Sequence, residues 1–373
     1  MKKILFIVSE DWYFVSHRLH IAIAAIEDGY EVALLSKLSI HKEFLESYGI
    51  EVFDWQLDRI SRNPLKELLS IYHVINTVKN FKPNLIHSVA IKPVIYSLLS
   101  KAFHRADGLV LALPGLGFVF RSKSSLSKIL RIFLIPIFKL LLIGNNIRLV
   151  MQNNDDIDSL LNFRIITSKK IRLIRGSGVN TSNFFPNHNS NEIPLVILPA
   201  RMLWNKGVQD FVNCAKKSIN KGKKVRFVLV GEPDIHNPES ISLMQLKQWD
   251  ELGIIEWWER KTNMLEVYHM ADVVCFPSYH EGLPKALLEA ASCEIPIVAY
   301  DVSGCREIVK NNVNGFLIPF RDQDALYLSI IRLLKDSKLR LDMGKKGREI
   351  VINNFTENRV SSETIKVWNE VLK

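Results

Sequence analysis

The strongest constraint on the fold of this chain is a rhythm of short apolar runs alternating with longer helical patterns, which occurs in both halves. Apolar runs of about five residues are typical of strands buried on both faces, and strands that alternate with helices predict a parallel, doubly wound sheet. A length of 373 residues suits two domains of about 150–200 residues each. We therefore predict an α/β fold of two Rossmann-like domains.

The apolar runs place the predicted strands and the boundary between the domains. In the first half, strands are predicted at Ile4–Val8, Glu31–Leu35, Glu51–Phe53, Leu85–Ser88, Leu109–Leu113 and Leu149–Gln152, with helices at Arg18–Asp28, Pro64–Asn80 and Pro93–Phe103. In the second half, strands are predicted at Leu195–Pro199, Arg226–Val230, Ile254–Trp257, Asp272–Phe276 and Ile297–Tyr300. The glycine-rich stretch 175–178 suggests domains at residues 1–178 and 179–355, with a last helix, residues 356–373, packing back onto the first domain.

Charge is distributed unevenly between the two halves. The net charge is +10, and residues 1–178 hold 24 Lys/Arg against 15 Asp/Glu, whereas residues 179–373 hold 25 against 24. A basic first domain favours phosphate-rich partners such as anionic lipid head groups or a diphosphate. Nucleic acid is disfavoured because the sequence has no recognisable RNA- or DNA-binding motif. A dinucleotide dehydrogenase is disfavoured because no Gly-x-Gly-x-x-Gly follows the first strand.

Cysteine usage and the N-terminal residues indicate an intracellular protein. Cys214, Cys275, Cys293 and Cys305 are scattered without zinc-ligand spacing, so we expect buried, reduced thiols. The N-terminal run Ile4–Val8 is too short for the core of a signal peptide, and acidic residues follow it at once.

One segment, Leu126–Gly144, is strongly apolar but carries Lys128, Arg131 and Lys139 as well as Pro136. A membrane-spanning helix needs about 20 mostly uncharged residues, so a span is not expected. Two alternatives stay open. The segment is either a buried helix of the first domain or a basic amphipathic segment lying on the inner membrane face.

The window most informative about function is Ser278–Glu289, which follows the predicted strand 272–276. Gly282 lets the backbone of the turn approach a ligand closely, and Pro284 suits the first turn of the helix that follows. The N–H groups and the positive end of that helix favour an anion. They lie beyond the carboxyl end of a strand, where open α/β sheets bind ligands.

Two carboxylates, Glu281 and Glu289, frame this turn at a spacing of eight positions. A carboxylate can accept hydrogen bonds from two hydroxyls at once, so each side chain suits a sugar or ribose diol. The spacing alone also fits an ordinary loop carboxylate and a solvated helix residue.

Together these residues resemble the Glu-x7-Glu signature of glycosyltransferase family 4. Its members are retaining enzymes of the GT-B fold, in which two facing Rossmann-like domains enclose an interdomain cleft. The likeness continues through Pro296–Ala299, Asp301–Val309 and Asn314–Pro319. It implies that Glu281 contacts the donor sugar and Glu289 the nucleotide ribose. Further donor contacts are expected from Gly282, Leu283 and Pro284. Glu294 stands where the family usually has glycine, so we expect altered turn geometry there.

A basic loop follows the first strand of the second domain. Arg201 and Lys206 on this loop can both reach one diphosphate, although the pattern alone also fits a solvated turn. The resemblance implies that this pair neutralises the departing nucleotide diphosphate, which removes the need for a metal ion, and no other cofactor is expected. Gly231 resembles the next donor-side loop of the family, and Arg260 is expected near the base.

The acceptor side is predicted from first-domain residues that follow strands. The stretch Trp12–Arg18 stands where the family often has a Gly-Gly loop. It resembles a branch that acts on polyprenyl-diphosphate-linked sugars. Many family members carry a histidine after the strand that corresponds to Leu109–Leu113, and this sequence has none there. The candidates for acceptor or phosphate contact, each of which also fits a structural role, are His17, Arg18, His87, Lys92, Gly115 and Gly117.

The resemblance implies a retaining transfer of a hexose or N-acetylhexosamine from a nucleotide sugar, expected to be UDP-linked. The acceptor is expected to be a polyprenyl-diphosphate-linked saccharide in O-antigen, capsule or exopolysaccharide synthesis. The enzyme would then be a peripheral protein on the anionic, cytoplasmic face of the inner membrane, with no nucleic acid partner. The alternative is a non-hydrolysing UDP-N-acetylhexosamine epimerase, since those enzymes also use two facing Rossmann-like domains. Turnover of a UDP-sugar without any acceptor separates the two.

Overall fold

The computed structural model describes the chain except for residues 59–62, 102, 104–105, 116–130, 133–134, 137, 188–190, 236 and 373. Its contacts divide the chain into two compact units, which we call the first and second domains. The first domain comprises residues 1–177 and 357–373, and the second comprises residues 178–356.

The first domain is built on a parallel seven-stranded sheet with the strand order β3-β2-β1-β4-β5-β6-β7. Its strands are β1 (Lys3–Glu10), β2 (Glu31–Lys37), β3 (Glu51–Asp54), β4 (Leu85–Val89), β5 (Gly108–Leu113), β6 (Ile147–Met151) and β7 (Ile171–Leu173). Its helices include α1 (Asp11–His17), α2 (Leu19–Glu27), α3 (Lys42–Glu46), α4 (Pro64–Phe81), α5 (Ile91–Ser100), α6 (Asn154–Asn162) and, from the end of the chain, α14 (Glu357–Val371). Apolar side chains of α4 and α5 pack on one face of the sheet, and those of α2 and α14 pack on the other.

The second domain is built on a parallel six-stranded sheet with the order β10-β9-β8-β11-β12-β13. Its strands are β8 (Leu195–Pro199), β9 (Arg226–Val230), β10 (Glu256–Trp257), β11 (Val273–Phe276), β12 (Ile297–Tyr300) and β13 (Gly315–Ile318). Its helices are α7 (Val208–Asn220), α8 (Leu243–Glu251), α9 (Met264–Met270), α10 (Lys285–Ser292), α11 (Ser303–Ile308), α12 (Gln323–Lys335) and α13 (Ser337–Asn354). The chain order reverses between β8 and β11, which makes their junction a topological switch point.

The predicted α/β architecture with two parallel sheets is confirmed, and the differences lie in short elements. Residues Asp11–His17, which precede the predicted helix Arg18–Asp28, form helix α1. Its buried Asp11 carboxylate accepts hydrogen bonds from the backbone N–H and the hydroxyl of Ser39, at 2.6 and 2.7 Å. The edge strands β7 and β13 were not predicted. They have three and four residues.

The last helix, α14, packs against α2 and against strand β5 of the first domain. Its Trp368 is fully buried and makes edge-to-face contacts with the rings of Phe6, Tyr30 and His87. Glu370 on the same helix pairs with Arg148 and Arg172, which belong to β6 and β7. Apolar and ionic contacts thus tie residues 357–371 to the first sheet.

The described part of the apolar segment 126–144 combines features of both alternatives considered for it. Phe138 and Leu142 are buried in the core beneath the sheet. Ile132, Leu140 and Ile143 are exposed by 68%, 69% and 63% of their surface. The described residues of this segment therefore bury some large apolar side chains and expose others. Among the described helices, none is long and apolar enough to cross a bilayer.

The turn after α10 keeps the geometry that glycine normally provides, so the expectation of altered geometry at Glu294 is wrong. Glu294 has φ of +60°, in the left-handed region. Its N–H donates to the carbonyl of Ala291 and the N–H of Ile295 donates to that of Ala290, at 3.1 and 3.0 Å. These two bonds define a Schellman motif, in which glycine is the usual residue at this position.

All four cysteines are buried and free of disulfides, as predicted.

Candidate functional site

The loops that follow β8, β9 and β11 carry most of the residues predicted for the donor side. Because the three strands are parallel neighbours, these loops, residues 200–207, 231–234 and 277–284, emerge at one edge of the second sheet. The switch point between β8 and β11 lies at this edge, where open α/β sheets have a crevice for ligands. The topology alone therefore brings the basic loop after β8 beside the acidic turn after β11.

An ion pair joins these two loops at the switch point. The ammonium of Lys206 donates to Oε1 of Glu281 at 2.5 Å, and the two side chains are only 17% and 10% exposed. The backbone holds this geometry, since the N–H of Tyr279 donates to the carbonyl of Asn205 at 2.9 Å. Gly207 has φ of +73°, and a Cβ there would lie 1.9 Å from the carbonyl oxygen of Pro277. Only glycine permits such close approach of the two loops.

The start of helix α11 supports Glu281 from behind. A Cβ on Gly304, at the start of α11, would lie 2.5 Å from the carbonyl oxygen of Gly282 and 2.8 Å from Cβ of Glu281. The adjacent Cys305 is buried, and burial, with Glu281 as the next cause, raises the pKa of its thiol well above the usual value. Cys305 is therefore a neutral packing residue beneath the pair.

Arg201 is also in an ion pair, with a different carboxylate. Its Nη1 lies 2.7 Å from Oδ2 of Asp234, on the loop after β9, and its side chain is 47% exposed. Gly231 begins that loop with φ of +144°, and a Cβ there would lie 2.0 Å from the carbonyl oxygen of Ala200. Arg201 and Lys206 thus share one loop but have separate carboxylate partners.

Glu289 lies on α10, about one turn from its start, and accepts a hydrogen bond from the hydroxyl of Tyr268 at 3.0 Å. Tyr268 is fully buried, and burial followed by the nearby Glu289 carboxylate raises the pKa of its phenol. Gly282 and Leu283 are half-buried on the preceding turn. Pro284 caps the helix with extended backbone, which corrects the prediction that it occupies the first helical turn.

A buried hydrogen-bond network that the sequence did not reveal lies next to the ion pair. Asp210, in the first turn of α7, is 3% exposed and accepts from the hydroxyls of Tyr279 and Tyr300 at 3.1 and 2.9 Å. The amide of Gln323 donates to the same carboxylate. Burial, and next the Asp210 carboxylate, raises the pKa of both tyrosines. Since Tyr279 is two residues from Glu281, the network connects the helix after Lys206 to the turn that carries Glu281.

Arg260, expected near the base, is exposed, and within the described part of the chain it has no hydrogen-bond or ion-pair partner. It follows β10 and lies beside a pocket of about 370 Å³, whose lining includes Trp258, Lys261 and Glu266 but not Arg260 itself. The structure thus leaves the Arg260 side chain available on the surface beside this pocket.

Two of the predicted acceptor-side residues, Arg18 and His87, line one small pocket of the first domain. Burial, with the charge of Arg18 as the second cause, lowers the pKa of His87 to about 3, so the imidazole is neutral near pH 7. His17 is stacked on the ring of Tyr13 with centroids 4.2 Å apart.

Lys92 and Gly115 are not among the residues that line that pocket. The ammonium of Lys92 lies 2.7 Å from Oε1 of Glu67, so this side chain bridges α5 and α4. Gly115 follows β5 and is half-buried, and Gly117 lies outside the described residues.

Comparisons with known proteins agree with this arrangement of domains. A family model described as "Glycosyl transferase 4-like" matches residues 3–154, and one described as "Glycosyl transferases group 1" matches residues 180–350. The two matched ranges follow one another along the chain and correspond to the first and second domains.

Two curated relatives are similar over most of their length. An N,N'-diacetylbacillosaminyl-diphospho-undecaprenol alpha-1,3-N-acetylgalactosaminyltransferase of Campylobacter jejuni is 27% identical over 356 residues, which is 92% of each chain. A UDP-Gal:alpha-D-GlcNAc-diphosphoundecaprenol alpha-1,3-galactosyltransferase of Escherichia coli is 26% identical over 307 residues, 78% of this chain and 76% of its own.

Solved structures share the fold. A glycosyltransferase of Rickettsia africae matches with a TM-score of 0.80 and 19% identity, over 100% of this chain and 99% of its own. Anabaena HepE in complex with UDP and glucose matches with a TM-score of 0.79 and 17% identity, over 99% of this chain and 100% of its own. The fold class predicted from the sequence, GT-B, is thereby confirmed. The chain belongs to the glycosyltransferases that combine a 4-like N-terminal domain with a group 1 C-terminal domain.

Proposed function

We propose that this glycosyltransferase moves a hexose or an N-acetylhexosamine from a UDP-sugar to a saccharide carried on a polyprenyl diphosphate, in the synthesis of O-antigen, capsule or exopolysaccharide. The names of both curated relatives support this proposal, because each specifies a diphosphoundecaprenol-linked sugar. The E. coli relative is also named for a UDP-linked donor.

The observation that carries the proposal is the ion pair of Lys206 and Glu281 at the switch point of the second sheet. An ammonium has three N–H donors, and the bond to Glu281 uses one. Among the described residues no second partner of this ammonium is found, so its other two N–H groups can bind diphosphate oxygens. A carboxylate has several lone pairs, so Glu281 can accept from a sugar hydroxyl in addition to its protein partners. One ion pair thereby aligns the cation that stabilises the leaving group with the carboxylate that orients the sugar.

In this proposal, negative charge develops on the nucleotide diphosphate as the bond to the anomeric carbon breaks. Lys206 and Arg201 stabilise that charge without a metal ion or another cofactor. Glu289 holds the ribose diol. The acceptor hydroxyl attacks from the face that the diphosphate leaves, through an oxocarbenium-like transition state. Its proton passes to the departing diphosphate oxygen, and the anomeric configuration is retained.

The test is a transfer assay with purified protein, a panel of UDP- and GDP-sugars, and a polyprenyl-diphosphate-monosaccharide acceptor. The expected product is a disaccharide whose anomeric proton, measured by NMR, shows the configuration of the donor. An inverted product would refute the retaining mechanism, and the absence of transfer from every sugar nucleotide would refute the proposal. Epimerised UDP-sugar formed without acceptor would favour the epimerase.

Variants test the assigned roles. Lys206→Ala and Glu281→Ala are each expected to lower kcat by about 100-fold or more, in the range observed when one stabilising group is removed from a transition state. A matched control is Lys346→Ala, which breaks an exposed ion pair with Glu349 on α13 and should leave kcat within twofold of wild type. Near-normal turnover of either site variant would show that its residue is wrongly assigned.

We also propose that the first domain works at the anionic, cytoplasmic face of the inner membrane as a peripheral protein. Its excess of basic residues and the exposed Ile132, Leu140 and Ile143 support this. Flotation with vesicles containing phosphatidylglycerol should carry the protein, and Leu140→Ser with Ile143→Ser should reduce the bound fraction. Equal binding to purely zwitterionic vesicles would contradict the electrostatic part of the proposal.

A further inference from the structure

A narrow pocket lies in the first domain at the carboxyl ends of its parallel strands. Its walls include Arg18 at the junction of α1 and α2, His87 of β4, Gln152 after β6, Gly176 after β7, and Thr364 of α14. The volume available to the centre of a water-sized sphere is about 10 Å³, so the pocket admits about one oxygen atom. It is partly open to solvent, and a larger group can therefore insert a single oxygen from outside.

His87 presents a hydrogen-bond donor to this pocket. The indole N–H of Trp368 lies 3.0 Å from Nδ1 of His87, and an indole nitrogen can only donate. Nδ1 must therefore be the unprotonated acceptor, which puts the proton of the neutral ring on Nε2. That Nε2 is buried, and the described residues provide no acceptor for it.

Arg18 presents a positive charge to the same pocket. Its residue surface is only 4% exposed, and Nη1 donates to the carbonyl of His17 at 2.9 Å. Its Nε is buried without a hydrogen-bond partner, and none of the described carboxylates pairs with the guanidinium. Buried charges are normally paired, because burial removes their hydration. A neutral water molecule would satisfy the N–H donor but would leave the charge without a counter-ion.

We propose that this pocket binds one oxygen of a phosphate group, held between the guanidinium of Arg18 and the Nε2–H of His87. Both groups are donors, one is cationic, and the space admits one oxygen. This is the pattern that suits a phosphoryl oxygen at the mouth of the pocket. Identifying the phosphate as part of a diphosphate substrate rests on the proposed function, whereas binding of inorganic pyrophosphate does not. The acceptor lipid and the nucleotide sugar are the two possible sources.

Three variants of the whole chain separate the contributions of Arg18 and His87 to phosphate binding. Arg18→Met removes the charge and keeps much of the apolar stem. His87→Asn keeps an oxygen that can accept from Trp368 but removes the donor that faces the pocket. The matched control is Arg148→Met, which removes a first-domain guanidinium already paired with Glu370.

The experiment measures the affinity of each protein for inorganic pyrophosphate, UDP and farnesyl diphosphate by calorimetry. Relative to wild type, we expect Arg18→Met to weaken binding of pyrophosphate and of one diphosphate ligand by at least about tenfold. His87→Asn should weaken the same binding about three- to tenfold, and Arg148→Met less than twofold. Loss confined to farnesyl diphosphate identifies the acceptor as the source, and loss confined to UDP identifies the donor.

Wild-type affinity of both pocket variants for all three ligands would overturn the proposal. If Arg18→Met does not fold, His87→Asn and Arg18→Lys, which keeps the charge but loses the planar fork, decide the question. The assay needs no turnover. A protein that transfers no sugar but shows these losses would refute the proposed function and leave the phosphate site standing.

Discussion

Replacing Glu294 by glycine should stabilise the second domain. Glu294 has φ of +60° at the end of α10, and its carboxylate makes no hydrogen bond to the residues that the structure describes. A left-handed conformation costs an L-residue about 1–2 kcal/mol. Glycine avoids that cost but loses about 0.5–1 kcal/mol more backbone entropy on folding. The expected net gain for Glu294→Gly is therefore about 0.5–1 kcal/mol.

The surrounding packing prevents the turn from relaxing. A Cβ on Gly344 of α13 would lie 1.9 Å from the carbonyl oxygen of Glu294, so α13 passes directly against this peptide group. The backbone is held by this contact and by the Schellman hydrogen bonds. The strain therefore stays with whichever residue occupies position 294.

Calorimetry measures the gain, with Glu294→Ala as the control. For a domain of about 150–250 residues, 1 kcal/mol shifts Tm by about 2–4 °C, so Glu294→Gly should raise the Tm of the second domain by about 1–4 °C. Alanine keeps Cβ and should change Tm little. Equal Tm values for the two variants would refute the backbone explanation, and kcat should be unchanged in both.

Three further predictions follow from contacts described above. Gly304→Ala places a Cβ 2.5 Å from the carbonyl oxygen of Gly282, and the displaced turn should lower kcat/KM by about tenfold or more in the transfer assay. Tyr300→Phe removes one donor from the buried Asp210 and should lower the free energy of unfolding by about 1.5–3 kcal/mol, measured by urea titration. Hydrogen bonds from Arg172 and Arg148 lower the pKa of the Glu370 carboxyl in the folded protein. The ionised carboxylate therefore stabilises the fold above its unfolded pKa, near 4.5, and this stability is lost as pH falls through the lower folded pKa. Glu370→Gln should reduce the dependence of Tm on pH in this acidic range.

Each of these predictions has a contrary outcome. Gly347→Ala is a control for Gly304→Ala, because its Cβ would make only ordinary contacts of 3.4 Å or more. Equal activity of the two alanine variants would show that close packing at Gly304 does not position the turn. Unchanged stability of Tyr300→Phe would show that the network adds nothing to stability. An unchanged pH profile of Glu370→Gln would assign the acid sensitivity to other carboxylates.

The parallel strands could be predicted because burial on both faces demands continuous apolar runs. Strands β8, β9 and β12 have the predicted bounds. Helix α1 could not be predicted, since its first turn depends on Asp11 binding Ser39, which lies 28 positions away. Edge strands such as β13 are short, and tertiary pairing rather than local preference determines them.

The residues of the candidate site also fall into two groups, those that the sequence predicts and those that only the fold reveals. Lys206 and Glu281 stand in a recognisable local pattern, and the strand order explains why they meet. Asp210 and Tyr300 are 90 positions apart, and neither stands in a motif. The available signal is a carboxylate among mostly apolar buried residues of α7, which include Phe211 and Ala215. Only the fold shows that this face meets two tyrosine hydroxyls.

The helix that carries Trp368 has a consequence for how the chain folds as it is synthesised. Trp368 completes the core of the first domain beside Phe6 and His87, yet the ribosome makes it only after the whole second domain. The second domain can therefore finish folding while the first still exposes an apolar surface over β1 and β4. During that interval a newly made chain is a target for chaperones. A chain released before residue 357 would keep this apolar surface exposed and would remain a chaperone target.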